Sequence, residues 1–191
     1  MMKRNRLFLF VSIIILTMVS ACTKDTSVKG NEMDMQKEQL SLELSDSDLE
    51  TIEFINSNSN CDLKLMERMA VDEKEPDIPY AEESSNGAVE SYGFYIEEED
   101  AVIRTQITIS KKTDENIMGI KTEDSYDNAK KILEKAGFKW ISDDSFKSSM
   151  ISSTFVKGKI SISILTEKTE AGDINNGMIY SVGVSIIEFK V

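Results

Sequence analysis

Residues 119–138, GIKTEDSYDNAKKILEKAGF, contain the clearest helix signal in the chain. Apolar residues recur at helical spacing from 126 to 136, and lysine and glutamate occupy the opposite side. Three polar residues are able to cap the start of this helix: Thr122, Asp124 and Ser125. Gly137 suits the left-handed position that ends a helix and lets Phe138 fold back onto it. The stretch therefore predicts an amphipathic helix that packs its apolar face on a core.

Upstream of this helix, ESYGFYI (90–96) and AVIRTQITIS (101–110) predict a β-hairpin. In the second segment, two sets of residues alternate, which indicates one buried face: Ile103, Thr105, Ile107 and Ile109 against Val102, Arg104, Gln106 and Thr108. Four acids at 97–100 form the tip between the strands. Carboxylates on an exposed turn are normally solvated, and calcium needs about six to eight oxygens from several directions. We therefore expect no metal site at this tip.

Downstream of the helix, further β segments complete a sheet. A strand is predicted near 138–142, and FVKGKISISIL (155–165) predicts two strands joined by a tight turn at Lys157-Gly158. MIYSVGVSIIEFKV (178–191) follows the turn dipeptide Asn176-Gly177 and predicts the last strand. Its predicted inner face carries Tyr180, Val182, Val184 and Ile186, with a bulge where Ile187 and Phe189 break the alternation. These patterns predict an α+β fold, an antiparallel β-sheet with one or two helices packed on one face.

The first part of the folded region gives weaker patterns. Ser47 and Glu50 have the spacing of a capping box, which predicts a short helix near 48–57. The predicted inner face of this helix carries Leu49, Ile52 and Ile55. Residues 62–71 predict a strand. Residues 72–88, which hold both prolines, predict a solvated loop.

The N-terminus has the order of an export signal. Residues 1–6 are basic, residues 7–19 are apolar, and the small residues Ser20-Ala21 precede Cys22. The apolar run is shorter than the roughly 20 residues that span a bilayer, but it suits the core of a signal sequence. Val-Ser-Ala-Cys resembles the lipobox of bacterial lipoproteins, which implies a diacylglycerol thioether on Cys22 and cleavage after Ala21. The alternative is a buried helix in which Cys22 is an ordinary apolar residue.

This interpretation divides the chain into a signal peptide (1–21), a flexible tether (22–39) and an α+β globular domain (40–191). Two acyl chains hold a protein at a bilayer, whereas one chain gives only marginal binding. A tether of this length has a mean span of about 20–25 Å. With Cys22 acylated, Cys61 has no disulfide partner, and we expect it to be a half-buried structural thiol. The expected location is the extracytoplasmic face of the cell membrane.

Composition excludes several classes of function. The 191 residues carry a net charge of −12, and removal of 1–21 leaves 19 basic and 34 acidic residues, a net −15. Such a charge repels nucleic acid, so we expect no nucleic-acid partner. The chain has no histidine, the commonest general base and transition-metal ligand. We therefore expect neither a metal nor another cofactor. Abundant lysine, isoleucine and asparagine with little proline indicate a low-GC bacterium.

A family resemblance covers roughly residues 119–191. A strand, a Gly-Ile lead-in, a capped helix ending in glycine and then three strands resemble repeats of the β-lactamase inhibitor protein and small outer-membrane assembly lipoproteins. The proline common after the helix in those lipoproteins is absent, and Phe138-Lys139 stands there. The resemblance implies protein contact through a concave sheet without catalysis, and it transfers no individual binding residue. The helix near 48–57 would then begin a degenerate first copy of the module.

The features together favour a non-enzymatic, membrane-anchored lipoprotein that binds a protein or a cell-envelope component such as a wall polymer. Aromatic residues contribute disproportionately to binding energy, and the candidate binding residues are Tyr92, Tyr95 and Trp140. One alternative is a small-ligand-binding lipoprotein that serves a transporter. Another is a cell-wall hydrolase that uses paired carboxylates.

Overall fold

A computed structural model describes residues 42–75, 78–147, 150–167 and 177–187. Cys22, the predicted signal peptide and tether, and Phe189 lie outside these residues. The described elements are α1 (Asp46–Ser57), β1 (Tyr80–Glu83), β2 (Val89–Ile96), β3 (Ala101–Ile109), α2 (Tyr126–Lys135), β4 (Lys139–Lys147), β5 (Met150–Lys157), β6 (Ile160–Glu167) and β7 (Ile179–Ile186). Within the described ranges, no helix is long and apolar enough to cross a membrane.

The seven described strands form one antiparallel sheet in the order β1-β2-β3-β7-β6-β5-β4. Consecutive strands pair within β1–β3 and within β4–β7, and the two groups join where β3 pairs with β7. The predicted α+β class is therefore confirmed. Along the chain, a helix precedes three strands and a second helix precedes four, the order that a tandem of helix-plus-sheet modules would give. The duplication itself stays a prediction.

Both helices pack on the same face of the sheet. Ile52 and Ile55 of α1 share one buried cluster with Ala129 and Leu133 of α2. The strand residues in this cluster come from five strands, and they alternate with outward positions except at a bulge between Ile179 and Val182: Val89, Ile107, Ile109, Phe155, Ile160, Ile162, Ile164, Ile179, Val182, Val184 and Ile186. Because side chains alternate between faces, the residues between them belong to the opposite face. This cluster thus lies between the sheet and the helices, and a second, smaller cluster of Ile96, Ala101 and Ile103 lies at the hairpin end of β2 and β3.

The helix predicted around 119–138 is confirmed as α2. The Ser125 hydroxyl accepts a hydrogen bond from the Asn128 amide at 3.3 Å. At the other end, Gly137 has φ +87°, and the Phe138 amide donates to the Leu133 carbonyl at 3.0 Å. Phe138 is buried. Because each of these contacts is local, the sequence alone was sufficient to predict this helix.

The first helix begins earlier than predicted and is capped by different residues. Ser45, not Ser47, is the N-cap, and Asp48, not Glu50, completes the capping box. Asp48 is buried and also accepts a hydrogen bond from the Lys159 amide at 2.9 Å. The helix is therefore fixed by a tertiary contact, while Leu49, predicted to face inward, is exposed.

The strand predicted at 62–71 is wrong. The side-chain amide of Asn56 exchanges two hydrogen bonds of 3.0 Å with the backbone of Leu65, and Met66 has φ +65°, so the segment is held irregularly beside α1. An isolated bridge between Arg68 and Ile103 joins it to β3. Three backbone hydrogen bonds of 2.9 Å add to this bridge: the Met66 and Met69 amides donate to the Arg104 and Val102 carbonyls, and the Arg104 amide donates to the Glu67 carbonyl. Conversely, the predicted loop at 72–88 contains β1, a short edge strand that pairs with β2.

Three details of the predicted strands also change. The β5–β6 turn is formed by Gly158-Lys159, one residue later than predicted. The predicted alternation of β3 fails over 101–105, which is buried on both sides next to a bulge in its pairing with β2. Tyr180 is exposed instead of buried, because a bulge opposite Leu165 and Thr166 puts Ile179 in the core.

Candidate docking face

One face of the sheet has no helix packed on it in the described part of the chain. We call it the open face and define it by the residues that alternate with core positions on β3, β5, β6 and β7: Gln106, Thr108, Ser152, Thr154, Val156, Ser161, Ser163, Leu165, Ser181, Gly183 and Ser185. None of these positions is charged, although 29% of the chain is. Charged residues stand at the margins: Glu90 on β2, Glu167 at the end of β6, and Lys139 and Asp144 on β4.

Strand register places the open-face side chains in rows across the sheet. One row runs Thr154–Ser163–Gly183–Thr108. A second row runs Val156–Ser161–Ser185–Gln106 and ends at Tyr92 on β2. A third row runs Ser152–Leu165–Ser181. Neighbouring positions in a row are about 4.8 Å apart, and neighbouring rows about 7 Å.

The side chains at the centre of the open face are small and closely packed. A Cβ atom added to Gly183 would lie 3.1 Å from Thr108 Oγ1, so the threonine side chain covers the space beside the glycine. Thr108 Oγ1 also accepts a weak hydrogen bond from Gln106 Nε2 at 3.4 Å. The centre of the open face therefore carries no bulky side chain, and the space beside Gly183 is filled by Thr108.

The three aromatic residues predicted to bind a partner do not form one site. Tyr92 is half-buried and borders the open face opposite Gln106, and burial raises the pKa of its phenol, with a further contribution from Glu90. Trp140 lies opposite Phe155 on edge strand β4, five strands away from β2, or about 24 Å. The open face is therefore lined by hydroxyl groups, with an aromatic residue only at its margin.

Trp140 and Tyr95 are instead held by neighbouring carboxylates. The indole Nε1 of Trp140, a residue that is 49% exposed, donates to Asp143 Oδ1 at 3.0 Å. The Tyr95 hydroxyl lies at the hairpin tip and donates to Asp100 Oδ1 at 3.1 Å, which raises the pKa of Tyr95. Each of these two aromatic residues thus belongs to a local contact away from the open face.

A shallow depression of about 550 Å³ lies between the loop after β3 and the start of α2. Its lysines and carboxylates pair with one another: Lys112 with Glu123 at 2.6 Å and Lys121 with Asp114 at 3.3 Å. The hydrogen bond from Lys112 to Glu123 raises the pKa of that lysine. In the ranges that the structure describes, no three histidine, cysteine or acidic residues are grouped to hold a metal ion. The charged side chains of this depression are thus engaged with one another.

Cys61 is fully buried rather than half-buried. Its thiol donates to the Leu63 carbonyl at 3.3 Å, and burial raises the pKa of the thiol. The thiolate is the reactive form, so a native thiol of this kind reacts slowly.

With Cys22 acylated, we expect the native mature protein to show almost no thiol that reacts with a maleimide. The unfolded mature protein should show one reactive thiol per chain. A second reactive thiol in unfolded mature protein would contradict acylation of Cys22.

Comparison with protein-family models, with curated proteins and with solved structures finds no match to this chain. The lipobox and the resemblance of residues 119–191 therefore stay predictions.

The sequence did contain a signal for the open face. In ISISIL (160–165) and YSVGVSI (180–186), the residues between the apolar ones are almost all serine or glycine, with no charge. A sheet face that only meets water usually carries lysine, glutamate or arginine as well.

Proposed function

We propose that this protein is a lipid-anchored, non-enzymatic protein of the extracytoplasmic membrane face that binds a component of the cell envelope. The anchor rests on the basic, apolar and small-residue order that ends at Cys22. The tether gives the domain a reach of about 20–25 Å from the bilayer.

The observation that carries the binding role is the open face. It extends over β3, β7, β6 and β5, and its central positions combine small size with the absence of charge. The chain has 34 acidic residues, yet the central positions of the open face carry none. The residues that would perform acid–base chemistry are missing from it, which supports recognition rather than catalysis.

The anchor is tested by feeding cells that express the protein an alkyne-tagged fatty acid. We expect the wild type and Cys61→Ala to incorporate the tag and to remain in the membrane pellet after an alkaline wash. Cys22→Ala should incorporate none, because no other thiol precedes the folded domain. Labelling is the deciding readout, since an uncleaved signal sequence also retains protein on a membrane. Equal labelling of Cys22→Ala would overturn the lipoprotein assignment.

A further inference from the structure

The hydroxyl groups of the open face are available to a ligand. In the described part of the chain, five of them have no hydrogen-bond partner: Ser152, Thr154, Ser163, Ser181 and Ser185. Each hydroxyl is both a donor and an acceptor and rotates to suit its partner. The face therefore presents a regular array of groups that recognise either polarity of hydrogen bond.

The chemistry of this array excludes several kinds of partner. A charged ligand would find no opposite charge on the central rows. The cores of protein interfaces are depleted in serine, and their hot spots in serine and threonine, so the face lacks the anchors of a tight protein complex. Val156 and Leu165 are its only central aliphatic side chains among the described residues, which is too little apolar area for a lipid surface.

We propose that the open face binds an uncharged glycan chain, a polymer whose sugars carry hydroxyl or acetamido groups. This inference rests on the proposed function and specifies its partner. Such a chain offers alternating donors and acceptors along an extended, neutral backbone, which matches the rows of serine and threonine. Tyr92, at the end of the Ser185–Gln106 row, supplies a ring edge or face against which a sugar packs.

The affinity of each contact is low, because hydroxyl hydrogen bonds replace bonds to water. Anchoring compensates for this, since a tethered protein meets a fixed polymer at a high effective concentration. Binding to a neutral polymer involves no ion pairs, so it should not depend on salt. Salt independence thus distinguishes glycan binding from the electrostatic attraction between an acidic protein and a cationic polymer, which weakens as salt is added.

The test measures retention of the mature, acylated protein in neutral detergent on insoluble chitin, cellulose and cationic chitosan. The salt concentrations are about 0.1 M and about 1 M, where the Debye length falls from about 10 to about 3 Å. We expect retention on chitin or cellulose to be the same at both. Ser163→Glu, which puts a charge at the centre of the open face, should reduce it at least about tenfold, because the carboxylate would lose hydration against a neutral chain.

Ser85→Glu is the matched control, since Ser85 is an exposed turn residue between β1 and β2. It should bind like the wild type, and the thermal midpoint of each variant reports its folding. Retention only on chitosan, lost at the higher salt, would overturn the inference, as would equal retention of Ser163→Glu on the neutral polymers. If the neutral polymers fail while Cys22 is acylated and an envelope protein is captured, the glycan inference fails and the proposed function stands.

Discussion

Replacing Arg104 with alanine is expected to lower the free energy of unfolding by about 2–4 kcal/mol. Its side chain is only 4% exposed, and the guanidinium donates to the Ser91 hydroxyl at 3.0 Å, the Lys64 carbonyl at 3.0 Å and Glu67 at 2.6 Å. It also donates to Glu82 on β1. The guanidinium thus ties β2, edge strand β1 and the irregular segment after α1 together. Its removal leaves the buried Ser91 hydroxyl without this donor and creates a cavity. Urea unfolding measures the resulting loss in the free energy of unfolding.

Two comparisons isolate this effect. Arg68→Ala removes an arginine whose ion pair with Glu99 is exposed on both sides, and it should cost less than about 1 kcal/mol. Glu67→Ala or Glu82→Ala alone should cost about 1 kcal/mol, because the other carboxylate remains. The double variant Glu67→Ala/Glu82→Ala should lower the free energy of unfolding by about 3–5 kcal/mol, more than the sum of the two single effects. It leaves the buried Arg104 without either carboxylate. An Arg104→Ala effect no larger than that of Arg68→Ala would show that the cluster contributes little to stability.

Asp48→Ala is expected to destabilise the protein by about 2–4 kcal/mol. The Asp48 carboxylate accepts bonds from the Ser45 hydroxyl at 2.6 Å, the Ser45 amide at 3.0 Å and the Lys159 amide at 2.9 Å. Its loss therefore removes the carboxylate half of the α1 capping box, although Ser45 still caps the helix, and it leaves the Lys159 N–H without its acceptor. The contact also requires glycine at 158, where φ is +58° and a Cβ atom would lie 2.1 Å from Asp48 Oδ1.

The same carboxylate predicts acid sensitivity. The Ser45 hydroxyl, followed by the Lys159 amide, lowers the pKa of Asp48. A lowered pKa means that the stabilisation is complete above the unfolded-state value of about 3.9 and is lost as the pH falls through the folded-state value. Asp48→Asn should lose this part of the pH dependence in urea titrations below about pH 5. Asp46→Asn, an exposed change in the same turn, is the control and should retain it.

The sequence was informative where local contacts decide the structure. The Schellman ending of α2 joins Leu133 and Phe138, five residues apart, and was predicted correctly. The capping of α1 depends on Lys159, more than a hundred residues away, so local spacing pointed to Ser47 instead of Ser45. Tyr180 was misplaced for a related reason, because a bulge is defined by the partner strand and not by the strand that contains it.

The candidate site was likewise only partly predictable from the sequence. Aromatic residue type pointed to Tyr92, Tyr95 and Trp140, but their positions depend on strand order, which a single sequence does not reveal. Burial of Arg104 was equally hidden, because its partners come from three separate segments: the stretch after α1, β1 and β2. The open face, in contrast, follows from uncharged alternate positions in β6 and β7 that are visible in the sequence.

The most direct test of the open face as the binding surface is photo-crosslinking in intact cells. A diazirine analogue of leucine replaces Leu165, on the open face, or Leu49, exposed on α1, with almost no change in shape. We predict that the protein labelled at 165 becomes covalently joined to envelope material and that the protein labelled at 49 does not. Crosslinks from position 49 alone, or from neither position, would contradict the assignment of the open face.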